Sequence, residues 1–229
     1  MTLLAIDTST AHASVALYDG RTVLAEATWY AQRRHDDHLF PEIDRLLALG
    51  GVALADVTRV GVAIGPGSFT GVRVAIAAAQ GIARASDAAT VGVATIDVAA
   101  WPFASARLRV CALIPAGRGE HYSAMYRRRR GAWERTSGID IGTVADLART
   151  IATDTIFAGE IDDATAAELR ERVGARAILP SVGARIRRAG HLAEIAWERA
   201  EAGEGAHAGA LEPLYIRPPM IRGKSGELV

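Results

Sequence analysis

The sequence contains very little of several residue types that define whole classes of protein. Of its 229 residues one is cysteine and one is lysine, and 6% are aromatic. The single cysteine, Cys111, excludes an internal disulfide framework and a cysteine-rich zinc site. The sequence also has no uninterrupted run of about 18 apolar residues, the length that crosses a bilayer as a helix, so we expect no membrane span.

Neither charge is in surplus. The 26 basic residues, 25 of them arginine, balance 26 acidic residues and give a formal net charge of zero. Proteins that bind nucleic acid on their own normally carry a basic surplus that contacts phosphate, which argues against that class. The first residues, Met1 to Asp7, contain neither a charged leader nor a cleavable apolar block. We therefore expect a cytoplasmic protein that is not associated with a membrane.

The hydrophobic pattern predicts the same order of elements twice: three strands, then helix, strand, helix, strand and helix. In the first half, Asp19-Gly20 favours a hairpin. In the second half, the longest predicted helix covers Ala184 to Glu201. A three-strand meander followed by alternating helices favours a mixed sheet covered by helices.

This repeated order resembles the duplicated lobes of the actin, sugar-kinase and chaperone-ATPase superfamily, abbreviated ASKHA. The resemblance implies an α/β fold of two lobes, with mixed five-stranded-type sheets covered by helices. We place the boundary between Pro102 and Arg107, which divides the chain into residues 1–104 and residues 105–229.

One acid and two hydroxyls, Asp7, Thr8 and Ser9, follow the first predicted strand. At the end of a buried strand such side chains can contact phosphate or a metal-bound water, and in the ASKHA superfamily this position is the first phosphate loop. The same residue types also form turns that satisfy their own backbone. The sequence leaves both interpretations open.

Residues 65–71, Gly-Pro-Gly-Ser-Phe-Thr-Gly, form the most unusual segment in the chain. No Lys-Ser/Thr pair follows the glycines, and Thr70 stands where a dinucleotide fingerprint needs its third glycine. Ser68 does not fit a G-x-S-x-G nucleophile elbow. The segment instead predicts a strand-to-helix turn in which Ser68 or Thr70 caps the helix, whose N-terminus can attract an anion.

The helix predicted from Val72 to about Ala85 is apolar on nearly all sides, with only Arg73, Gln80 and Arg84 as long polar residues. A helix of this kind has to be covered on more than one side. One face can pack on the chain's own sheet. The other, rich in alanine, is either buried within this chain or available to a partner helix.

Three further motifs each have a simple alternative. The segment His35-Asp36-Asp37-His38 precedes the first predicted helix and suggests a metal cluster, but the acids also suit a helix start. Cys111 lies in an apolar strand and predicts a buried thiol. The run Arg127–Arg130 predicts a hairpin tip that is either a solvated turn or an RNA contact, with Tyr122, Tyr126 and Trp133 as possible stacking groups.

Several of these segments together resemble the TsaB (YeaZ) family, the dimerisation subunit of the bacterial tRNA threonylcarbamoyladenosine complex. The match covers nearly the whole chain in the right order, and the segment 65–73 is its most specific part. The matching segments are Leu4 to Ser9, Ser14 to Leu17, Gly65 to Arg73, Gln80-Gly81, Gly119 to Tyr122 and Glu212 to Arg217.

The resemblance implies a subunit that is not itself an enzyme and needs no cofactor. It implies pairing with a catalytic TsaD-type paralogue, with a homodimer as a possible alternative. An ATPase of the TsaE type completes the assembly, and the partner subunits handle ATP. The chain would contact tRNA only through the complex. Asp7, Thr8 and Ser9 would be a degenerate nucleotide loop. The implied partner interface comprises Leu39, Ile43, Phe69, Thr70, Arg73, Val74, Ala77 and Ala78.

One departure from the family pattern bears on activity. The family usually has Ile-Asp-Ala-Arg before the strand that begins at Gly119-Glu120, whereas this chain has Ile114-Pro115-Ala116-Gly117. Proline thus replaces the acid that supplies the superfamily's second phosphate-side contact, which predicts a degenerate nucleotide site. Two alternatives remain open: an enzyme in its own right, either ATPase or kinase-like or glycoprotease-like, and an RNA-binding module.

Overall fold

The computed structural model of the chain describes residues 1–31, 35–207 and 211–216. The first sheet contains β1 (Thr2–Asp7), β2 (His12–Tyr18), β3 (Val23–Tyr30), β4 (Val57–Ala63), β5 (Ala89–Val93) and β12 (Ala206–His207). The second contains β6 (Arg109–Gly117), β7 (Glu120–Arg129), β8 (Ala132–Arg135), β9 (Asp140–Gly142), β10 (Thr155–Gly159) and β11 (Ala177–Ile178). The helices are α1 (His35–Gly50), α2 (Phe69–Ser86), α3 (Thr95–Ala100), α4 (Val144–Ala148), α5 (Asp163–Val173), α6 (Val182–Arg185) and α7 (Ala189–Glu201).

The two sheets repeat one topology. The strand order is β12-β5-β4-β1-β2-β3 in the first sheet and β11-β10-β6-β7-β8 in the second, where β9 pairs with β7. In each sheet three antiparallel strands form a meander, and two later strands add in parallel beside the first strand of that meander. The predicted pair of mixed sheets is confirmed. Each has a sixth strand, β12 or β9, which is too short for periodicity to reveal.

Strand β1 is buried along its whole length because helices cover both faces of the first sheet. Leu4 and Ile6 point towards α1 and α2 and join their core. Leu3 and Ala5 point to the opposite face, where α7 packs. The carboxyl end of β1 therefore lies in the middle of the molecule, and the residues that follow it are enclosed from both sides.

The helix expected from Ala184 to Glu201 is in fact two helices, so this prediction is wrong. Backbone at Ile186 and Arg188 is extended and separates α6 from α7. A side chain of the first lobe pairs with a free backbone N–H group at the start of α7: Ser14 Oγ accepts from the N–H of Ala189 at 2.9 Å. Although the sequence assigns this helix to the segment 105–229, it packs on the first sheet. The division near residue 104 stays a prediction.

The second sheet is also covered on both faces. Helix α3 packs on one face together with Leu214 and Ile216, and α4 and α5 pack on the other around Phe157 and Leu169. Thr143 caps α4, because its hydroxyl and the Asp146 carboxylate form a reciprocal capping box. Within the described ranges no helix has the length and apolar character to cross a membrane.

Candidate functional site: the interlobe cluster and the outer face of the first lobe

The turn after β1 is enclosed and tightly hydrogen-bonded. Asp7 is 1% exposed, and Thr8 and Ser9 are fully buried. One carboxylate oxygen of Asp7 accepts from the backbone N–H of Ser9 at 2.9 Å and from its hydroxyl at 2.6 Å. The Thr8 hydroxyl donates to the carbonyl of Gly71 at 2.7 Å. These contacts agree with the turn interpretation, in which the polar groups satisfy one another.

The side chain of Arg187 occupies the space in front of this turn. Its Nε lies 2.5 Å from Asp7 Oδ2, and its Nη1 lies 2.6 Å from Glu160 Oε1. Its Nη2 donates to the Thr10 hydroxyl at 3.0 Å, and that hydroxyl donates to Glu160. Burial alone lowers the pKa of Arg187, but the charges of Asp7 and Glu160 outweigh burial and raise it overall. The guanidinium is therefore a permanent cation between two carboxylates.

This arrangement determines what the turn can bind. A carboxylate that contacts a metal-bound water or positions a phosphate needs free oxygens, yet both oxygens of Asp7 already accept hydrogen bonds from Arg187 and Ser9. Arg187 also joins the lobes, because Asp7 ends β1 and Glu160 follows β10. Sequence reasoning did not find Arg187, which lies 180 residues from Asp7. The sequence predicts one continuous helix there and gives no signal for this contact.

The glycines of the segment 65–71 allow the start of α2 to approach the turn closely. The backbone N–H of Ser68 donates to the Ser9 carbonyl at 2.6 Å. A Cβ at Gly67 would collide with that carbonyl oxygen, and a Cβ at Gly71 with the carbonyl oxygen of Thr8. Ser68 caps α2 by accepting from the N–H of Gly71 at 3.2 Å, as predicted. The segment is therefore a packing element between α2 and β1.

The residues predicted for a partner interface fall into two groups. Phe69, Thr70, Arg73 and Ala77 are exposed on α2, and Val74 is partly exposed. Leu39 is fully buried, Ile43 is 2% exposed and Ala78 is 5% exposed. The prediction that Leu39, Ile43 and Ala78 belong to an interface is corrected, because their side chains fill the core between the helices and the first sheet.

An aromatic cluster that sequence analysis did not assemble stands at the exposed start of α2. The rings of Phe69 and Tyr215 stack with centroids 5.6 Å apart. The guanidinium of Arg73 lies 3.8 Å from the Phe69 centroid, and its Nε donates to the Tyr215 hydroxyl at 2.9 Å. This cation–π contact attaches the segment 211–216 to α2. The outer face of the helix thus begins at a fixed aromatic patch.

The remaining sequence candidates gain little support. His35 begins α1, so the motif lies inside the helix; the side chains of His35, Asp36 and Asp37 lie outside the described residues. Among the described residues no group of three His, Cys, Asp or Glu side chains can hold a metal. Cys111 is buried, and desolvation raises the pKa of its thiol to about 12, which confirms the buried-thiol interpretation.

The arginine run forms the expected hairpin between β7 and β8, with positive φ at Arg130 and Gly131. Of the three aromatic residues considered for stacking on RNA, Tyr122 and Tyr126 are buried, and Trp133 stacks on Tyr126 at 5.6 Å. Their rings therefore serve mainly the core of the second lobe.

Known proteins resemble this chain over most of its length. YeaZ from Pseudomonas aeruginosa is 31% identical, superposes with a TM-score of 0.79, and the match covers 94% of this chain and 99% of YeaZ. TsaB from Escherichia coli is 39% identical over 137 residues, which is 58% of either chain. TsaB from Bacillus subtilis is 26% identical over 95% of this chain and 94% of its own length. The chain belongs to the TsaB/YeaZ family.

Two further comparisons concern this TsaB/YeaZ family member, one with a family model and one with a solved structure. A family model described as TsaD, tRNA N6-adenosine threonylcarbamoyltransferase, matches residues 29–176. The ROK hexokinase from Thermus thermophilus superposes over 89% of the chain with a TM-score of 0.52 at 11% identity. That likeness concerns the fold alone, and it confirms the ASKHA architecture predicted from the repeated order of elements.

Proposed function

We propose that this chain is a non-catalytic subunit in the biosynthesis of threonylcarbamoyladenosine in tRNA, and that it pairs with a TsaD-type catalytic subunit through the outer faces of α1 and α2. The observation that carries the proposal is the solvent-facing side of α2. It presents Ala77 and Gly81 between the exposed start at Phe69 and the last turn. Small residues allow the backbone of a second helix to come close.

Helix α1 extends this surface with exposed apolar side chains. Phe40 is 52% exposed and Leu49 is 67% exposed, whereas Leu39 and Leu46 on the same helix are fully buried. Helix α1 shares a core with α2, so the two helices lie on the same side of the first sheet. Exposed large apolar side chains there are available to a partner.

The proposed lack of catalysis depends on the interlobe cluster. Arg187 neutralises Asp7, and Pro115 stands where the family usually has an acid. ATP is accordingly handled by the partners, a TsaE-type ATPase among them, and tRNA is reached through the complex in the cytoplasm. A homodimer through the same two helices is the alternative assembly of this surface.

The pairing is tested by co-expression with a TsaD-type subunit followed by size-exclusion chromatography. We expect Ala77→Arg to prevent co-elution, because overpacking a close contact costs about 1–3 kcal/mol and a buried charge adds to that. The matched control is Ala167→Arg, a change of the same size at an exposed alanine of α5. Co-elution of the Ala77 variant in the wild-type proportion would count against this surface.

The lack of catalysis is tested separately, with the purified chain alone. We expect negligible ATP hydrolysis, since the carboxylate that would position a phosphate is held by a guanidinium at 2.5 Å. Turnover that disappears on Asp7→Ala would instead identify an enzyme that works without a partner.

A further inference from the structure

A cavity lies between the lobes, next to the interlobe cluster of Arg187, Asp7 and Glu160 and apart from the α1 and α2 surface. Its volume is about 460 Å³, enough for a small organic molecule. Apolar groups from both lobes form much of its wall, among them Tyr30, Ile161 and Ile186. Glu160 lines the cavity and also pairs with Arg187, so the cluster closes one end of it.

Three buried nitrogen atoms of residues that line this cavity lack a hydrogen-bond partner among the described residues. They are His12 Nδ1, His121 Nδ1 and Arg185 Nε. Buried polar groups in folded proteins are nearly always paired, and each unpaired group costs stability. All three residues belong to the wall of one cavity, which makes that part of the wall polar.

Arg185 indicates the charge of that ligand. The residue is 8% exposed, its Nη1 donates to the Ile161 carbonyl at 2.9 Å, and no described carboxylate lies within ion-pair distance. Desolvation lowers the pKa of Arg185, and the charge of Arg170 adds to this, whereas Asp163 opposes it. Arg187, two residues later, is held by two carboxylates. The structure thus contains one buried arginine with partners and one without an anion.

Three acids line the cavity, Glu120, Glu160 and Asp162, and each already has an interaction within the protein. Glu160 pairs with Arg187 and accepts from Thr10. Asp162 caps α5 and accepts from the backbone N–H of Thr165 at 2.7 Å. These contacts offset the charges of both carboxylates, whereas the guanidinium of Arg185 retains its need for an anion.

We propose that this cavity binds a small organic anion, with its carboxylate or phosphate oxygens on the guanidinium of Arg185 and its apolar body against Ile161, Ile186 and Tyr30. The planar guanidinium edge suits either oxyanion. The ligand is more compact than a nucleoside triphosphate, because Arg187 occupies the space in front of Asp7 that a polyphosphate would need.

The test uses three probes with one ring and different head groups: benzoate, phenyl phosphate and neutral benzamide. Binding to the purified chain is followed by calorimetry and by perturbed amide signals in NMR spectra. We expect at least one of the two anions to bind at about millimolar affinity or better, and benzamide to bind at least about tenfold more weakly, since one charge-assisted hydrogen bond accounts for that factor. The preferred anion identifies the natural head group as carboxylate or phosphate.

Variants connect the binding to this cavity. Arg185→Met should weaken the anions about tenfold or more, whereas Arg188→Met, at a half-exposed arginine paired with Glu26, should leave binding unchanged. If Arg185→Met does not fold, Val182→Trp provides a second variant, because Val182 is 71% exposed at the cavity wall and a larger side chain there blocks entry. The proposal would be overturned if benzamide bound as tightly as the anions, or if no probe bound up to about 10 mM. It would also be overturned if ATP bound more tightly than the anions, or if both variants bound the anions with wild-type affinity.

Discussion

Each half of the molecule places a helix after the strand that adds in parallel to its meander, but the outer faces of the two helices differ. Helix α2 follows β4 in the first half, and α5 follows β10 in the second. The exposed side of α5 carries charged groups, including Glu168 and Arg172, which pair at 2.6 Å. The exposed side of α2 presents Ala77 and Gly81 in the middle of the helix.

Both outer faces include alanine, but they differ in charge. The exposed charged residues of α2, Arg73 and Arg84, lie towards its two ends, whereas α5 exposes Asp163, Arg170, Glu171 and Arg172. Helix α5 buries Ala166 and Leu169 and leaves charges in solvent, the usual division for a surface helix. Helix α2 buries an equivalent stripe and nevertheless keeps small residues outside. The composition of that outer face is therefore the observation that supports the proposed pairing.

The largest expected effect comes from removing the connection between the halves. Arg187→Met leaves the buried carboxylate of Asp7, and that of Glu160, without a cation, and breaking a buried pair in this way costs about 3–5 kcal/mol. The measurement is the free energy of unfolding in urea. The neighbouring variant Arg188→Met removes a half-exposed pair with Glu26, which is worth about 1 kcal/mol or less. Equal losses in the two variants would mean that Arg187 is no special link between the lobes.

The next prediction compares two glycines of α2. Gly71→Ala brings a Cβ against the carbonyl oxygen of Thr8, so the backbone has to shift, at a cost of about 1–3 kcal/mol. Gly81→Ala meets nothing within 4 Å and replaces a helical glycine, so it should stabilise the isolated chain by about 0.5–1 kcal/mol.

Thermal unfolding of both glycine variants checks the signs. Size-exclusion chromatography of Gly81→Ala with the TsaD-type subunit then shows whether the added methyl group interferes with pairing. Stabilisation of the Gly71 variant would contradict the packing role of that glycine.

Much of the fold was predictable because it depends on local patterns. The hairpin at Asp19-Gly20, the cap at Ser68 and the two meanders each follow from residues close together in the sequence. The sequence also indicated that α2 is apolar on nearly all sides. It did not distinguish buried Ala78 from exposed Ala77, because alanines on both sides of a helix give little amphipathic contrast.

The interlobe cluster was not predictable in the same way. Arg187, Asp7 and Glu160 lie on three separate segments, and the topology of both sheets is needed to bring them together. A chain with 25 arginines offers no signal that singles out the buried one. Leu39 and Ile43 were misassigned for a related reason: an apolar stripe on a helix shows that something covers it, but the tertiary fold decides whether the cover is the chain's own sheet.

The smallest expected effects compare the caps of the same two helices. Ser68 accepts from Gly71 N–H at 3.2 Å, and Asp162 accepts from Thr165 N–H at 2.7 Å. Ser68→Ala should cost about 0.5–1 kcal/mol, and Asp162→Ala about 1–2 kcal/mol, because a charged cap also interacts with the helix dipole.

The pH dependence of the two cap variants distinguishes them further. Hydrogen bonds from the Thr165 side chain and backbone lower the pKa of Asp162. The folded state thus binds this proton less readily than the unfolded state, so the contribution of Asp162 is complete above the unfolded value of about 3.9 and is lost as the pH falls through the folded pKa. Unfolding in urea at pH 7 and at about pH 3 should show the deficit of Asp162→Ala shrinking in acid, while the deficit of Ser68→Ala stays constant because serine does not titrate. If the loss of unfolding free energy changed with pH in the same way in both variants, the charge of Asp162 would add nothing to its hydrogen bond. The two halves would then differ only in the outer faces of their helices.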